Sequence, residues 1–429
     1  MIRLVRSFAA DRCGNFAMML AVLSLPVLGG VGLAIDYSYA SLIRTQLYGA
    51  ADAAAVGAIA EGAPAIKAAA LMTGDGQIAD GVEDAVNLFN AYLVGKPSLQ
   101  LTDIDAEVMR QGTSIHAKVG FSANVPTPFM RVFGRDHVTI SGEATAQMRT
   151  APFMDFYLLL DNTPSMGVGA TPGDVATMVS NTPDQCAFAC HDLSNSNNYY
   201  NLSKTLGVTM RIDVVRQAAQ KLTETAKGVR KYANQFRMGI YTFGAAATSL
   251  GLTEVAPLST NMDNVKSYAN GIDLMTIPHQ NYDNDQQTDY DSTLAALNSR
   301  IDAPGNGEST SQRQKIVFFV SDGVGDSYKP SRCTKPTTGG RCQEPIDIRV
   351  CDQLKARGIK IAVLYTTYLP LPTNNWYNTW INPFATEISP KMSQCATPGL
   401  FFEVSPTEGI AEAMEALFLK VIANPRLTS

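Results

Sequence analysis

Histidine is nearly missing from this chain of 429 residues. His116, His137, His191 and His279 are the only four, which leaves little material for a histidine-rich metal centre or a Ser–His–Asp set. An excess of positive charge is missing too. Lys and Arg number 34 against 39 Asp and Glu, a net charge of −5, whereas nucleic-acid-binding domains are usually basic. Nucleic acid is therefore not an expected partner. The third absence is local: no charged residue occurs from Phe16 to Ile35, and about twenty apolar residues are enough to cross a bilayer core.

That run is expected to be a transmembrane helix at 16–35. Arg3, Arg6 and Arg12 precede it and Asp36 follows, so the positive-inside rule puts residues 1–15 in the cytoplasm and the rest outside. The competing interpretation is a cleaved signal peptide, with Ser38-Tyr39-Ala40 as the cleavage site. The apolar regions of such peptides are about 7–15 residues long, shorter than this one. Here the pattern also runs on into an Ala-rich helical stretch to Glu61, which Gly62-Ala63-Pro64 should stop.

Beyond it, Val82, Val86, Phe89 and Leu93 form one stripe of a helix at 79–94. Two half-buried strands follow from alternation: Ile115, Ala117, Val119, Phe121 and Ala123, then Val138, Ile140, Gly142, Ala144 and Ala146. A strand at 101–109 would make three. Residues 36–150 thus read as a small α+β unit on a long helix.

From 153 the rhythm becomes strand–helix alternation. Apolar runs at 156–160, 237–243, 316–320, 359–365 and 400–404 alternate with helical segments near 211–227, 261–272, 293–301, 346–357 and 407–423. Such runs predict a mostly parallel, doubly wound, Rossmann-like α/β sheet covered on both faces. Ligands of these sheets sit at the carboxyl ends of the strands. Two acidic residues fall there. Phe156-Tyr157-Leu158-Leu159-Leu160 ends in Asp161-Asn162-Thr163-Pro164-Ser165, and Ile316–Val320 ends in Ser321-Asp322-Gly323. Thr293 opens a predicted helix after Asp291-Ser292. Two carboxylates and several hydroxyls are hard oxygen donors, the ligand set of Mg²⁺ or Mn²⁺. Helix capping alone would not explain a second Asp at a second strand end. A strand-end Asp can also be a phosphotransfer nucleophile, as in haloacid-dehalogenase-like phosphatases, but those want a second Asp two residues on, where Thr163 stands. An enzyme with a small-molecule substrate is not expected.

Asp161-x-Thr163-x-Ser165, then Thr293, then Asp322-Gly323 resembles the metal-ion-dependent adhesion site of von Willebrand factor A domains, over residues 153–424. The resemblance implies that Ser165 and Thr293 ligate the ion directly, that Thr163 replaces a usual serine, and that Asp161 and Asp322 supply charge. Farther upstream, Arg12-Cys13-Gly14-Asn15-Phe16-Ala17, the apolar helix and Ala34-Ile35-Asp36-Tyr37 resemble TadG-like proteins of the bacterial tight-adherence, Flp-type pilus machinery. These join a membrane helix to a periplasmic A-type domain. Pilin-like relatives carry a Glu five residues into the mature helix; Met19 stands here, so the chain is expected to stay anchored, with 36–150 as a pilin-like stalk.

Six cysteines lie beyond the apolar run: Cys186, Cys190, Cys333, Cys342, Cys351 and Cys395. Six permit fifteen pairings. Short loops favour Cys186–Cys190 and Cys333–Cys342, leaving Cys351–Cys395, a pair that the TadG-like resemblance also implies. A haem or zinc role for Cys186-Ala-Phe-Ala-Cys190-His191 fits its spacing less well than a local disulfide. Four insertions, 167–205, 278–291, 324–345 and 366–390, leave the strands on the side of Asp161. One carries Asp283, Asp285, Asp289 and Asp291, and another both tryptophans, Trp376 and Trp380. The function expected is capture of another pilus-assembly component, through its Asp or Glu, by an inner-membrane protein whose A domain is periplasmic. The alternatives are a pilin-like subunit or spacer with a silent site, and a surface adhesin.

Overall fold

The computed structural model describes residues 15–72, 74–94, 100–149, 152–188, 191–329, 332–335, 337, 340–368, 370–371, 374–405 and 409–423. It divides into two units, Met1–Arg149 and Thr150–Ser429.

The first unit begins with one continuous helix, α1 (Asn15–Ala58), which retains Pro26 in its interior. At 1.5 Å per residue it is about 66 Å long. Its two halves differ. Met19, Leu20, Val22, Leu23, Leu25, Val27 and Leu28 stand exposed, whereas Ile43, Leu47, Ala50, Ala51, Ala54, Ala55 and Ala58 are buried. The buried set recurs at helical spacing and is mostly alanine, so neighbours approach closely. Gly62, at φ +89°, follows the turn after α1, and a short second helix not foreseen from sequence, α2 (Pro64–Leu71), comes next. Strand β1 (Gly76–Gln77) leads into α3 (Ala79–Leu93). The face of α3 differs from expectation. Gly81, Ala85 and Phe89 are buried, while Val82, Val86 and Leu93 are only partly so. Gly81 lies so close to Ala65 and Val108 that a Cβ there would meet them at 2.8–2.9 Å, so a large residue is excluded from the centre of the face. Strands β2 (Gln100–Gln111), β3 (Ser114–Pro126) and β4 (His137–Arg149) complete an antiparallel sheet in the order β1-β2-β3-β4. Along β3, Ile115, Ala117, Val119, Phe121 and Ala123 are all buried, as the alternation requires. Asp36 does more than end the apolar run: its carboxylate accepts hydrogen bonds from the Phe129 and Met130 amides at 3.0 and 2.7 Å.

The second unit is built on a six-stranded sheet. Its elements in chain order are β5 (Met154–Leu160), α4 (Pro172–Asn181), α5 (Tyr199–Leu206), α6 (Arg211–Val229), β6 (Phe236–Ala246), β7 (Ser249–Ser259), α7 (Met262–Ala269), α8 (Tyr290–Arg300), β8 (Gln314–Ser321), β9 (Val324–Tyr328), β10 (Arg341–Pro345), α9 (Ile348–Ala356), β11 (Lys360–Thr366), α10 (Ala385–Cys395), β12 (Phe401–Val404) and α11 (Ile410–Ala423). The sheet order is β12-β11-β8-β5-β6-β7. Only β7 is antiparallel, and its pairing with β6 is broken by several register shifts. Read from the other edge this is the order 3-2-1-4-5-6 of doubly wound folds, in which the direction of winding reverses between the first and fourth strands. Those are β5 and β8. Every residue of both is buried. Alternate residues enter two cores: Phe156, Leu158 and Leu160 pack on one face with Phe236 and Phe418, and Tyr157 and Leu159 on the other with Tyr241 and Phe319.

The amino ends of the central strands are tied by charge. Asp155 lies opposite Arg237 on one neighbour and Lys315 on the other. It meets both cations at 2.6 Å while fully buried. A buried carboxylate is tolerated when so paired, and removing one partner is costly.

Cys333–Cys342 and Cys351–Cys395 are disulfide-bonded. The Cys186–Cys190 pairing lies outside the described residues. The sequence separations are 9 and 44. By chain entropy the longer closure contributes about 4 kcal/mol and the shorter about 2.5 kcal/mol. Chemical denaturation of the Cys351→Ala/Cys395→Ala and Cys333→Ala/Cys342→Ala variants checks this: the first pair is expected to lose the more stability.

Candidate functional site

Because Leu160 pairs with Val320 in the parallel register, the residues after β5 and β8 emerge side by side. The Asp161 amide donates to the Val320 carbonyl at 2.9 Å, which sets Asp161 beside Ser321. All the groups that follow lie at this switch point, at the carboxyl ends of the strands.

Asp161 is completely buried. Its Oδ1 accepts from the Thr163 amide at 3.0 Å and the Thr163 hydroxyl at 2.7 Å. Its Oδ2 accepts from the Ser321 hydroxyl at 2.6 Å and the Tyr290 phenol at 3.3 Å. Tyr290 and Ser321 are themselves 2.6 Å apart, and the Gly323 amide donates to Ser321 Oγ at 3.1 Å. Thr163 Oγ1 and Ser165 Oγ are 3.4 Å apart. Asp322 is equally buried. One oxygen accepts from the Val324 amide at 3.2 Å, and the other has no hydrogen-bond partner among the described residues. The nearest cation is Arg211, whose Nη1 stands 3.7 Å from that oxygen. Arg211 is itself fully buried, none of its guanidinium nitrogens has a hydrogen-bond partner among the described residues, and it stacks 5.3 Å above the Tyr368 ring.

Burial pushes the Asp161 carboxyl up, against the hydrogen bonds from Ser321 and Thr163. Burial, and then the charge of Asp161, push Asp322 up, against Arg211 and the Ser165 hydroxyl. The Tyr290 phenol is held well above its ordinary range by burial and by both carboxylates, and so remains a donor. The contrast with Asp155 is informative. The same sheet meets its buried carboxylate with close cations at one end, and leaves two carboxylates with one loosely held guanidinium at the other.

The residues expected from sequence fall as follows. Asp161, Thr163 and Ser165 are one hydrogen-bonded chain, and Asp322 is near enough to Ser165 to feel its hydroxyl. Thr293 is buried in the first turn of α8, but no hydrogen bond joins it to the cluster among the described residues; Tyr290, at the start of the same helix, makes that connection. The acidic run is engaged elsewhere. Asp289 caps α8 through the Ser292 amide, Asp291 pairs with Lys329 at 3.0 Å, and Asp285 faces Arg341 at 3.6 Å. Sequence reasoning passed over Ser321, Tyr290 and Arg211. For Arg211 a signal existed: a cation opening a helix opposes the macrodipole and implies an anion nearby.

The donor set fits a hard cation. It offers two buried carboxylates, one with an orphaned oxygen, and the hydroxyls of Thr163, Ser165 and Ser321, all oxygen donors of the kind that Mg²⁺ takes. Arg211 adds a resident positive charge.

Sheet order and strand-end cluster together define a doubly wound α/β domain with an oxygen-rich site at its switch point. At the other end of the chain, residues 14–70 match the family described as putative Flp pilus-assembly TadE/G-like. No curated protein matches the chain. Similar solved structures include the vWF domain of the type V pili tip protein Mfa5 from Porphyromonas gingivalis, at 10% identity over 66% of this chain and 99% of that one, TM-score 0.38. The pilus adhesin SpaC from Lactobacillus rhamnosus GG is similar at 11% identity over 75% of this chain and 34% of that one, TM-score 0.34. Proximal thread matrix protein 1 from the mussel byssus, with a zinc-occupied MIDAS motif, is similar at 14% identity over 64% and 48%, TM-score 0.35.

The raised carboxyls give a signed expectation. A carboxyl whose folded pKa exceeds its unfolded value of about 4 contributes stability at low pH that is lost as pH rises through the folded value. In chelator, the denaturation midpoint should therefore fall between pH 5 and pH 8. It should fall less in Asp161→Asn, which keeps the shape and removes one charge. Equal falls in the two proteins would show that burial of Asp161 carries no such cost.

Proposed function

We propose that this protein is anchored in the bacterial inner membrane by α1, and works in Flp-type pilus assembly by capturing a partner protein through a divalent cation on its A-type domain. The observation that carries the reading is the pair of fully buried carboxylates, Asp161 and Asp322, one with an oxygen that has no hydrogen-bond partner among the described residues, at the switch point of the sheet. Two ionised carboxylates in so dry a place attract a cation strongly. Thr163, Ser165 and Ser321 would hold it with them. When bound, Mg²⁺ or Mn²⁺ supplies a Lewis-acidic position that a carboxylate can complete.

This chain's own residues do the rest. Asp161 orients the Thr163 hydroxyl, and Tyr290 and the Gly323 amide orient Ser321. With both carboxyls ionised, and counting Arg211, the cluster carries two negative charges and one positive. A divalent ion would leave it net positive by one, which favours an Asp or Glu from the partner.

The location belongs to the proposal too. Arg3, Arg6 and Arg12 before the apolar run favour a cytoplasmic N-terminus. The two disulfides support an oxidising compartment, here the periplasm, for the A-type domain. The match of residues 14–70 to the TadE/G-like model supports the pilus context.

One observation favours a second reading, a structural subunit or spacer with a silent site: Arg211 already stands 3.7 Å from Asp322. Calorimetry separates the two. Full-length protein in detergent, titrated with Mg²⁺, is expected to give a saturable heat, and Asp161→Asn to weaken binding about tenfold or more, roughly 1.4 kcal/mol per decade. Identical heats would remove the ion. In cells, Asp161→Asn should reduce piliation if capture is the function and leave it intact if the protein is a spacer.

A further inference from the structure

Beside the carboxylate cluster, and adjoining Ser165, lies a cavity of about 190 Å³. Its walls include Asp285, Gln287, Asp326, Arg341, Gln343 and Trp376, none of which belongs to the ion-binding set. Three features of this wall point to one ligand chemistry.

The two glutamines come first. Gln343 donates its amide NH₂ to Asp326 Oδ2 at 2.7 Å, and Gln287 donates its own to the Tyr282 carbonyl at 2.9 Å. Both recipients are acceptors, so the orientation of each amide is fixed. Each carbonyl oxygen is thereby left at the other end. Gln287 is 2% and Gln343 5% exposed, and neither Oε1 has a hydrogen-bond partner among the described residues. Two buried acceptors on one cavity call for a ligand rich in N–H donors.

Charge comes second. Two carboxylates, Asp285 and Asp326, face one guanidinium, that of Arg341. Its Nε donates to Asp326 Oδ1 at 2.8 Å and its Nη2 to Asp326 Oδ2, while Nη1 stays 3.6 Å from Asp285. Asp326 thus has its cation, and among the described residues Asp285 has no hydrogen-bonded one. Arg341 also lies 4.4 Å over the Trp376 ring, so this box already accommodates one cation against an aromatic face. The third feature is the aromatic wall itself, which Tyr368 and Tyr377 extend as a stacked pair 5.9 Å apart.

We infer that this cavity is a receptor for a lysine side chain of the partner protein, its ammonium donating to the buried glutamine oxygens and pairing with Asp285. An ammonium is compact and carries three donors with no acceptor, which suits an acceptor-lined box with one uncompensated carboxylate. The partner would then present a base next to the acid taken by the ion. The inference uses none of the ion-binding carboxylates and stands without an ion.

The test uses the chain's own reporters. Trp376 lines the cavity, Trp380 lies 5.9 Å from it ring to ring, and these are the two tryptophans of the protein. Full-length protein in detergent is titrated with Nα-acetyl-lysine N-methylamide, with fluorescence as the readout. A saturable change is expected. The norleucine counterpart, which keeps the methylenes and lacks the ammonium, should need about tenfold more probe. Asp285 has a left-handed backbone, φ +56°, which asparagine tolerates well, so Asp285→Asn should fold normally. It should weaken the lysine response about tenfold, as should Gln343→Leu. No saturable response, an equal response to norleucine, or an Asp285→Asn response equal to wild type overturns the inference. So does loss of the response in Asp161→Asn, which would put the probe on the ion site. A normal lysine response in a protein that gives no Mg²⁺ heat would remove the ion reading alone.

Discussion

Two carboxylates held out of water within one hydrogen-bonded cluster are the constraint on which the second unit's candidate site depends. The lateral register of β5 against β8 leaves no freedom here. Once Leu160 pairs with Val320, Asp161 must emerge beside Ser321, and Asp322 follows one residue later. Thr163, Ser321 and Tyr290 each donate to Asp161, so its ionised form is partly supported from within the chain. Asp322 receives less: one backbone amide, and a guanidinium at 3.7 Å. That imbalance distinguishes the cluster from the closely paired network around Asp155.

The first unit solves a different problem with one helix. The exposed apolar residues of α1 cluster in its first half, and the helix is long and apolar enough to cross a bilayer. The half that packs uses alanine, because small side chains let α3 and the sheet come close. Gly57 against Leu88, and Gly142 against Tyr48, show the same economy of space, since a Cβ at either would meet its neighbour below 3 Å. The match to the TadE/G-like model covers this helix and its continuation.

Legibility followed the strength of the local signal. Strands buried on both faces, such as Phe156–Leu160 and Ile316–Val320, are plain because every residue must be apolar. β7 was not foreseen: Ser-Leu-Gly-Leu-Thr-Glu-Val-Ala-Pro-Leu-Ser carries Gly, Pro and Glu, as an edge strand with broken pairing can. The face of α3 was misplaced because Gly81 and Ala85 do not register as apolar in a count of large residues, although close packing places them at the centre. Within the site, Asp161, Thr163 and Ser165 were legible from spacing along one loop. Tyr290 was not, since a phenol one turn from Thr293 looks like core until its neighbours are known.

The sequence by itself determined the alternation of buried strands with helices, the apolar helix, and the placing of an acid at the end of each of two buried strands, because these depend on local periodicity and on which side chains tolerate burial. Only the tertiary structure decided which groups meet. Arg211, Tyr290 and Asp161 are separated by 50 residues or more along the chain, and nothing local relates them. What joins them is the winding of the sheet, which reverses between β5 and β8 and folds the first turns of α6 and α8 over the opening. The cavity beside Trp376 has the same origin: insertions that are unrelated in sequence become its walls because the strands they leave all end on one edge.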